Sequence, residues 1–131
     1  MFSKACEYAI KSVIYIAQEA LAGKKTNVKQ IAEATNAPEA FVAKILQPLS
    51  KKGILTSNKG KQGGFSVELD KIDKIKLIEI VLATDGPDIL TRCAFGLEKC
   101  TSEKPCPFHD KFKGIREELR DSLSEISVYD M

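Results

Sequence analysis

Ile54-Leu55-Thr56-Ser57-Asn58-Lys59-Gly60-Lys61-Gln62-Gly63-Gly64-Phe65-Ser66-Val67-Glu68-Leu69 is the stretch that decides the fold. Residues 54–57 and 65–69 read as two strands, and the segment between them is a basic, glycine-rich hairpin tip. The glycines let the tip approach another backbone closely, while Lys59 and Lys61 supply charge suited to phosphates or a minor groove. A nucleotide-binding loop draws on similar residues, but the Walker spacing is absent.

Upstream of this hairpin lie two short helical patterns joined by a tight turn. Asn27 and Gln30, three residues apart, form a capping arrangement that starts the first, with Val28, Ile31 and Ala32 as its apolar positions. Thr35-Asn36-Ala37-Pro38 is the turn, and its proline can open the second helix. There Phe41, Val42, Ile45, Leu46 and Leu49 bury one side, and Glu39, Ala40, Ala43, Lys44 and Gln47 face outward as far as Lys51-Lys52-Gly53. Two such helices alone fit an ordinary helical hairpin as well as a helix-turn-helix. A β-hairpin directly after the second makes the arrangement a winged helix.

Outward from this unit, residues 3–21 are apolar at helical spacing on more than one face (Ala9, Ile10, Val13, Ile14, Ile16, Ala17, Ala20, Leu21), which predicts a helix covered on two sides. Ile75, Ile78, Ile80, Val81 and Leu82 indicate a fourth helix from near Asp73 to about Ala83, closed by Asp85-Gly86-Pro87. After Pro107, which reads as the first helical residue, Phe108, Phe112, Ile115, Leu119, Leu123 and Ile126 recur every three or four residues almost to the end. A lone amphipathic helix of that length needs a partner. Phe112, Ile115, Leu119, Leu123 and Ile126 are therefore assigned to dimerisation against the first helix of a second subunit. The expected class is mainly α with a small β-hairpin: a winged helix-turn-helix (residues 1–84, wing about 54–69), a cysteine loop (85–107), and a long dimerisation helix with a C-terminal tail (108–131).

A chain of 131 residues buries one core and leaves no room for a separate catalytic domain. The net charge of +2 is too mild to identify a nucleic-acid binder. Its distribution says more: no acid stands between Glu39 and Glu68, where Lys44, Lys51, Lys52, Lys59 and Lys61 all lie. The first helix has the outline of a signal peptide, but Lys11, Gln18 and Glu19 interrupt its apolar core, and no later segment reaches membrane-span length. A cytoplasmic protein without membrane association is expected, so its cysteines are expected as ligands or sensors rather than disulfides.

Three of the four cysteines and the single histidine fall close together: Cys93, Cys100, Cys106 and His109. Thiolates and imidazole suit soft or borderline metals, and four such groups complete a shell for zinc or a small iron–sulfur centre. The simpler possibility, buried inert thiols, conflicts with a segment carrying Gly96, Glu98, Lys99, Glu103, Lys104, Pro105 and Pro107. Cys106 is expected near a helix N-terminus, where the dipole favours a thiolate. Cys106 and His109 also have the one-turn spacing of a nucleophile and base, yet no oxyanion-hole motif or third orienting residue accompanies them, so no enzyme is expected. Cys6 sits on the apolar first helix and is assigned to packing.

These residues together resemble the Rrf2 family of bacterial transcriptional regulators, in particular its IscR- and NsrR-like iron–sulfur members. The likeness runs through Tyr8-Ala9, Ile31-Ala32-Glu33, Phe41-Val42-Ala43-Lys44-Ile45-Leu46, the wing 57–65, the three cysteines and the last helix. It implies a DNA-binding regulator, a homodimer with two winged helices on a palindromic site in double-stranded DNA, whose binding is controlled by a cluster. The resemblance places Cys93, Cys100 and Cys106 on the family's cluster cysteines and His109 on a histidine ligand of a [2Fe-2S] cluster, with [4Fe-4S] as the other option. In other members an acidic residue early in the partner's first helix is a ligand, which here is Glu7 of the partner subunit. A thiol- or zinc-responsive regulator without a cluster is the alternative. The candidate DNA-binding residues are Glu39, Ala40, Ala43, Lys44, Gln47 and Lys51 on the second reading helix, with Ser57, Lys59, Gly60, Lys61, Gly63 and Gly64 in the wing. Lys59 stands where many members carry arginine, keeping the charge without the planar fork.

Overall fold

A computed structural model describes residues 1–61 and 63–131; Gln62, part of the wing motif, lies outside the described residues. Helix α1 (Lys4–Leu21) begins where the Ser3 hydroxyl caps the Cys6 amide, and Asp85 in turn takes the Ser3 amide at 2.9 Å and its hydroxyl. Cys6, Ala9, Val13, Ile16, Ala17 and Ala20 form its fully buried face, so Cys6 is a packing residue. Ile10 and Ile14 are only half-buried and Leu21 is exposed, which leaves the second apolar face of α1 partly open within one chain.

Helix α2 (Val28–Thr35) has the Asn27/Gln30 capping box, each side chain taking the other's backbone amide at 2.9 Å. It ends on Asn36, whose φ of 53° is the left-handed conformation that asparagine tolerates better than most residues. The chain then turns through Pro38 into α3 (Glu39–Lys51). Val42, Ile45, Leu46 and Leu49 are buried as the pattern requires. Phe41, expected among them, is 36% exposed and rests edge-on against Tyr8 with ring centroids 5.7 Å apart. Its position at the start of the helix puts it at the rim of the core. Pro48 stands in the last turns without breaking α3.

Strands β1 (Thr56–Asn58) and β2 (Gly64–Ser66) pair antiparallel, and both are shorter than expected. Ile54, Leu55 and Val67 are buried, so these residues flanking the ladder serve the core. The wing base is also stitched to the α1–α2 connection. Thr26 and Phe65 exchange both backbone hydrogen bonds, at 2.6 and 3.1 Å, and the buried Thr26 hydroxyl donates to the same Phe65 carbonyl.

A 3-10 turn (Leu69–Lys71) leads towards α4 (Leu77–Thr84), which starts several residues later than its apolar pattern implied, because Ile72 and Ile75 are buried from non-helical backbone. A one-turn helix, α5 (Asp88–Thr91), follows Gly86 and Pro87; four residues show no periodicity, and sequence reasoning missed it. The last helix, α6 (His109–Glu125), begins two residues after Pro107 and ends earlier than expected. Ile126 turns extended, and Ser127 to Asp130 fold back so that Val128 enters the core. This tail is fastened to the segment before α4. Val128 N donates to Ile75 O at 2.8 Å, Leu77 N to Ile126 O at 3.0 Å, and the Lys76 ammonium to Glu125 O at 3.1 Å.

No described helix is long and apolar enough to cross a membrane. One core unites α1, α2, α3 and α4 with the wing base and the tail.

Two glycines predict opposite effects. A Cβ on Gly64 would lie 2.4 Å from the Thr26 carbonyl oxygen, whereas one on Gly114, inside α6, meets nothing within 4 Å. Gly64→Ala should therefore lower stability by about 1–3 kcal/mol, and Gly114→Ala should raise it by about 0.5–1 kcal/mol. Urea unfolding measures both, and effects of the same sign would contradict the tight contact between wing and α1–α2 connection.

Candidate metal centre and nucleic-acid interface

The loop from Cys93 to His109 is a succession of tight turns closed by backbone hydrogen bonds. Gly96 N donates to Cys93 O, Cys100 N to Leu97 O, Thr101 N to Lys104 O and His109 N to Cys106 O, all within 3.0–3.2 Å. Each cysteine and the histidine stand at the end of a turn, which lets residues distant in sequence converge. The sulfurs of Cys93, Cys100 and Cys106 all lie within 4.8 Å of one another. Cys93 Sγ is 3.9 Å from Cys106 Sγ, and His109 Nδ1 is 3.3 Å from Cys100 Sγ.

These distances fit a metal better than a disulfide. A tetrahedral ion with metal–sulfur bonds of about 2.3 Å spaces its sulfurs roughly 3.8 Å apart. A disulfide brings them to about 2.05 Å, and all four cysteines are free thiols. The surroundings favour thiolate: the Leu97 and Phe95 amides point at Cys93 Sγ and hold its pKa down to about 7. The Cys106 amide donates to Cys100 Sγ at 3.4 Å. That amide draws Cys100 down, but desolvation and the adjacent thiols outweigh it, leaving Cys100 above its ordinary value. Two sulfurs side by side are not both charged at little cost unless a cation joins them. Burial lifts Cys6 as well, and it takes no part in the site.

Glu7, the other candidate ligand, lies in the first turn of α1, half-buried and 3.2 Å from the Lys4 ammonium. Within the loop's own chain, His109 lies beside one of the three sulfurs, that of Cys100.

The α6 stripe divides into two sets. Leu123 is buried within its own chain and Leu119 packs partly against the same core, while Phe112 stacks on Phe108 at 5.6 Å. Ile115 and Ile126 remain exposed at 46% and 38%. Two arginines that no sequence pattern singles out lie between them. Arg116 donates to the Thr91 and Arg92 carbonyls at 2.8 and 2.5 Å, and Arg120 to the Leu90 carbonyl at 3.3 Å.

In the reading unit, Glu39, Ala40, Lys44, Gln47 and Lys51 are exposed along α3, with Ala43 half-buried. Ser57, Lys59, Gly60 and Lys61 are exposed in the wing, and Gly63 and Gly64 are half-buried at its base. The starts of α2 and α3 and the wing together border one shallow groove of about 370 Å³, lined among others by Lys29, Glu39, Ser57, Gly60 and Gly63. Lys29 was not singled out from sequence. Its signal was a lysine two residues after the α2 cap, on the side that meets the wing.

Comparison with known proteins settles the family. The family model for Rrf2, described as an iron-dependent transcriptional regulator, matches residues 2–131. The chain belongs to the Rrf2 family. A relative from Rhizobium meliloti, protein aau3, is 30% identical over 93% of this chain and 73% of its own length. Among solved structures, CymR of B. subtilis, titled its global cysteine regulator, superposes with a TM-score of 0.80 at 22% identity, covering 99% of this chain and 94% of that one. IscR of T. potens gives 0.77 at 21% identity, covering 100% and 85%. The Rrf2 assignment makes the chain a transcriptional regulator of a DNA-binding family, and the winged-helix fold agrees with both structures.

The unequal environments of the loop thiols predict an order of reactivity. In reduced, metal-free Rrf2 protein, iodoacetamide should label Cys93 ahead of Cys100, with the Cys93 rate climbing as pH rises through about 7. Buried Cys6 should label only on unfolding. Mass spectrometry of quenched samples reads the order, and equal rates for Cys93 and Cys100 at every pH would contradict the role of the amides.

Proposed function

We propose that this protein is a dimeric regulator whose DNA binding is controlled by an iron–sulfur cluster held by Cys93, Cys100 and Cys106, with His109 as fourth ligand. The observation that carries the reading is the convergence of three sulfurs in a loop otherwise made of turns, with His109 Nδ1 3.3 Å from one of them, Cys100 Sγ. The donor set suits [2Fe-2S] chemistry, with three soft thiolates and one imidazole. The cluster would supply reversible electron and ligand chemistry at the loop. An open cleft of about 570 Å³, lined by Leu97, Cys100, Lys104 and Cys106, gives small diatomic or redox signals access to it.

The homodimer rests on apolar surface left uncovered on two elements. Ile115 on α6 and Ile126 just past its end, with Ile14 and Leu21 on α1, form the contact with a second copy. Such a dimer presents two α3 helices and two wings to a palindromic site on double-stranded DNA. In the major groove, Ala40 and Ala43 offer small apolar contacts for thymine methyls and Lys44 a cationic one. Lys59, Lys61 and Lys29 would contact backbone phosphates or the minor groove, the close approach being allowed by the glycines. A zinc- or thiol-responsive regulator is the second reading. The Cys93–Cys106 separation and the depressed Cys93 pKa favour it, and Cys3His is also a zinc set.

Metal analysis separates the two. Protein purified without oxygen should be coloured and contain iron and acid-labile sulfide. Cys93→Ser, Cys100→Ser and Cys106→Ser should each lose both, and Cys6→Ser should keep them. Stoichiometric zinc without sulfide would overturn the cluster reading.

The interface makes its own prediction. Lys59→Ala and Lys61→Ala should weaken binding on all sequences and lower the salt slope by about one unit per lost phosphate contact. Lys44→Ala should instead change which sequence is preferred. An unchanged affinity and salt slope in the double wing variant would remove the wing from the interface.

A further inference from the structure

Helix α5 is too short to persist by itself: its four residues amount to one turn, and nucleating a turn is unfavourable. Leu90 is its one fully buried side chain, and no residue from Thr91 to Ser122 is fully buried. Yet the end of α5 is where the chain must stop before delivering Cys93. Its terminal carbonyls are held from α6. The Arg116 guanidinium donates to Thr91 O and to Arg92 O, and Arg120 donates to Leu90 O. Arg92 contributes nothing to this, since its own side chain reaches back 3.4 Å to Asp88.

Arg92 O belongs to the peptide unit whose nitrogen is that of Cys93. Both bonds come from one nitrogen, Nη1, whose two hydrogens reach consecutive carbonyls and so fix that unit in direction as well as position, and a cation is favoured at a helix C-terminus. On α6, Arg116 lies seven residues, close to two turns, after His109, with Phe112 between them on the same side. The guanidinium carbon stands 5.4 Å from the Phe112 ring centroid, Phe112 stacks on Phe108, and Phe108 packs against Phe95 at 5.4 Å. One helix face therefore carries a candidate ligand, His109, and the group that holds the backbone of another, Cys93.

We propose that Arg116 is a positioning residue for the metal centre: by gripping the Arg92–Cys93 peptide it registers the Cys93 sulfur against Cys106 and His109 before any metal arrives. The proposal rests on the reading of the loop as a metal centre. Groups that orient ligands from behind typically change metal retention by roughly 10–100-fold when removed.

Two measurements on the full chain test it. The first is hydrogen exchange of reduced, metal-free protein at the Arg92 and Gly96 amides, which bond to Asp88 O and Cys93 O. Arg116→Gln should speed exchange at both by about tenfold or more, as expected when a local element opens more easily. Exchange in α1 and α3 should stay unchanged, which shows that the variant folds. The second is loss of metal to a chelator, from anaerobically loaded protein or, for metal-free protein, from its cobalt(II) complex followed by the thiolate absorption bands. Arg116→Gln should release metal roughly 10–100-fold faster with an altered spectrum. Arg116→Lys, which restores charge without the rigid planar group that aims Nη1, should recover only part of this. Arg120→Gln should stay near wild type, because Leu90 is anchored by burial. Arg116→Gln behaving as wild type in both measurements overturns the proposal, and so does equal impairment of Arg116→Gln and Arg120→Gln. If wild type retains neither iron nor cobalt, the metal-centre reading fails, and faster exchange in Arg116→Gln would then still support the grip on Cys93 while unchanged exchange would refute it.

Discussion

Between Leu90 and Leu123 no described side chain is fully buried, so the segment that carries the chemistry cannot be ordered by the hydrophobic core. It depends on its two ends. One end is α5, held by Leu90 and by the arginines of α6; the other is α6 itself, which begins at His109. Fluctuating turns of this kind have little apolar burial to offset their chain entropy. Ligation of three sulfurs and an imidazole to one centre is an interaction strong enough to fix them. On the proposed reading, that is how the loop would respond to whether a metal centre is present.

The response has a mechanical route. Helix α6 has 17 residues, about 26 Å of helix at 1.5 Å per residue. It starts in the cysteine loop and ends where Ile126 and Val128 bond to Leu77 and Ile75. That junction lies directly between the wing strand β2 and α4, and Ile72 and Ile75 of the same segment are in the core. On the proposed reading, a change in how the loop seats α6 would be delivered at the root of the wing and at the surface proposed to meet a second copy. Coupling through such packed elements is commonly worth 1–3 kcal/mol. It needs no large motion when two packed arrangements compete.

The reading unit was legible in the sequence because its signals are local. The Asn27/Gln30 cap, the Asn36–Pro38 turn and the glycine-rich tip each carry their own geometry, and the apolar spacing of α3 did the rest. The cysteine set was legible from ligand chemistry alone. Other features depend on contacts distant along the chain, and no periodicity announces them. Helix α5 is stabilised by residues about 25 positions later. The end of α6 is decided by Val128 finding a place beside Ile75. The spacing assigns Leu123 to a partner, whereas its own chain buries it, because a helix face shows only that it is apolar and not which surface covers it. Spacing places Phe41 in the core and the structure places it at the rim, because the end of a helix overhangs what its middle packs on.

The central claim is that the metal centre controls DNA binding without holding the molecule together. The direct measurement is titration of operator DNA with cluster-loaded and metal-free protein, with sedimentation of both forms under the same conditions. The account predicts a folded dimer in either form and affinities that differ by about 5- to 150-fold on at least one operator. A metal-free form that dissociates to monomers, or equal affinities on every operator, would contradict it.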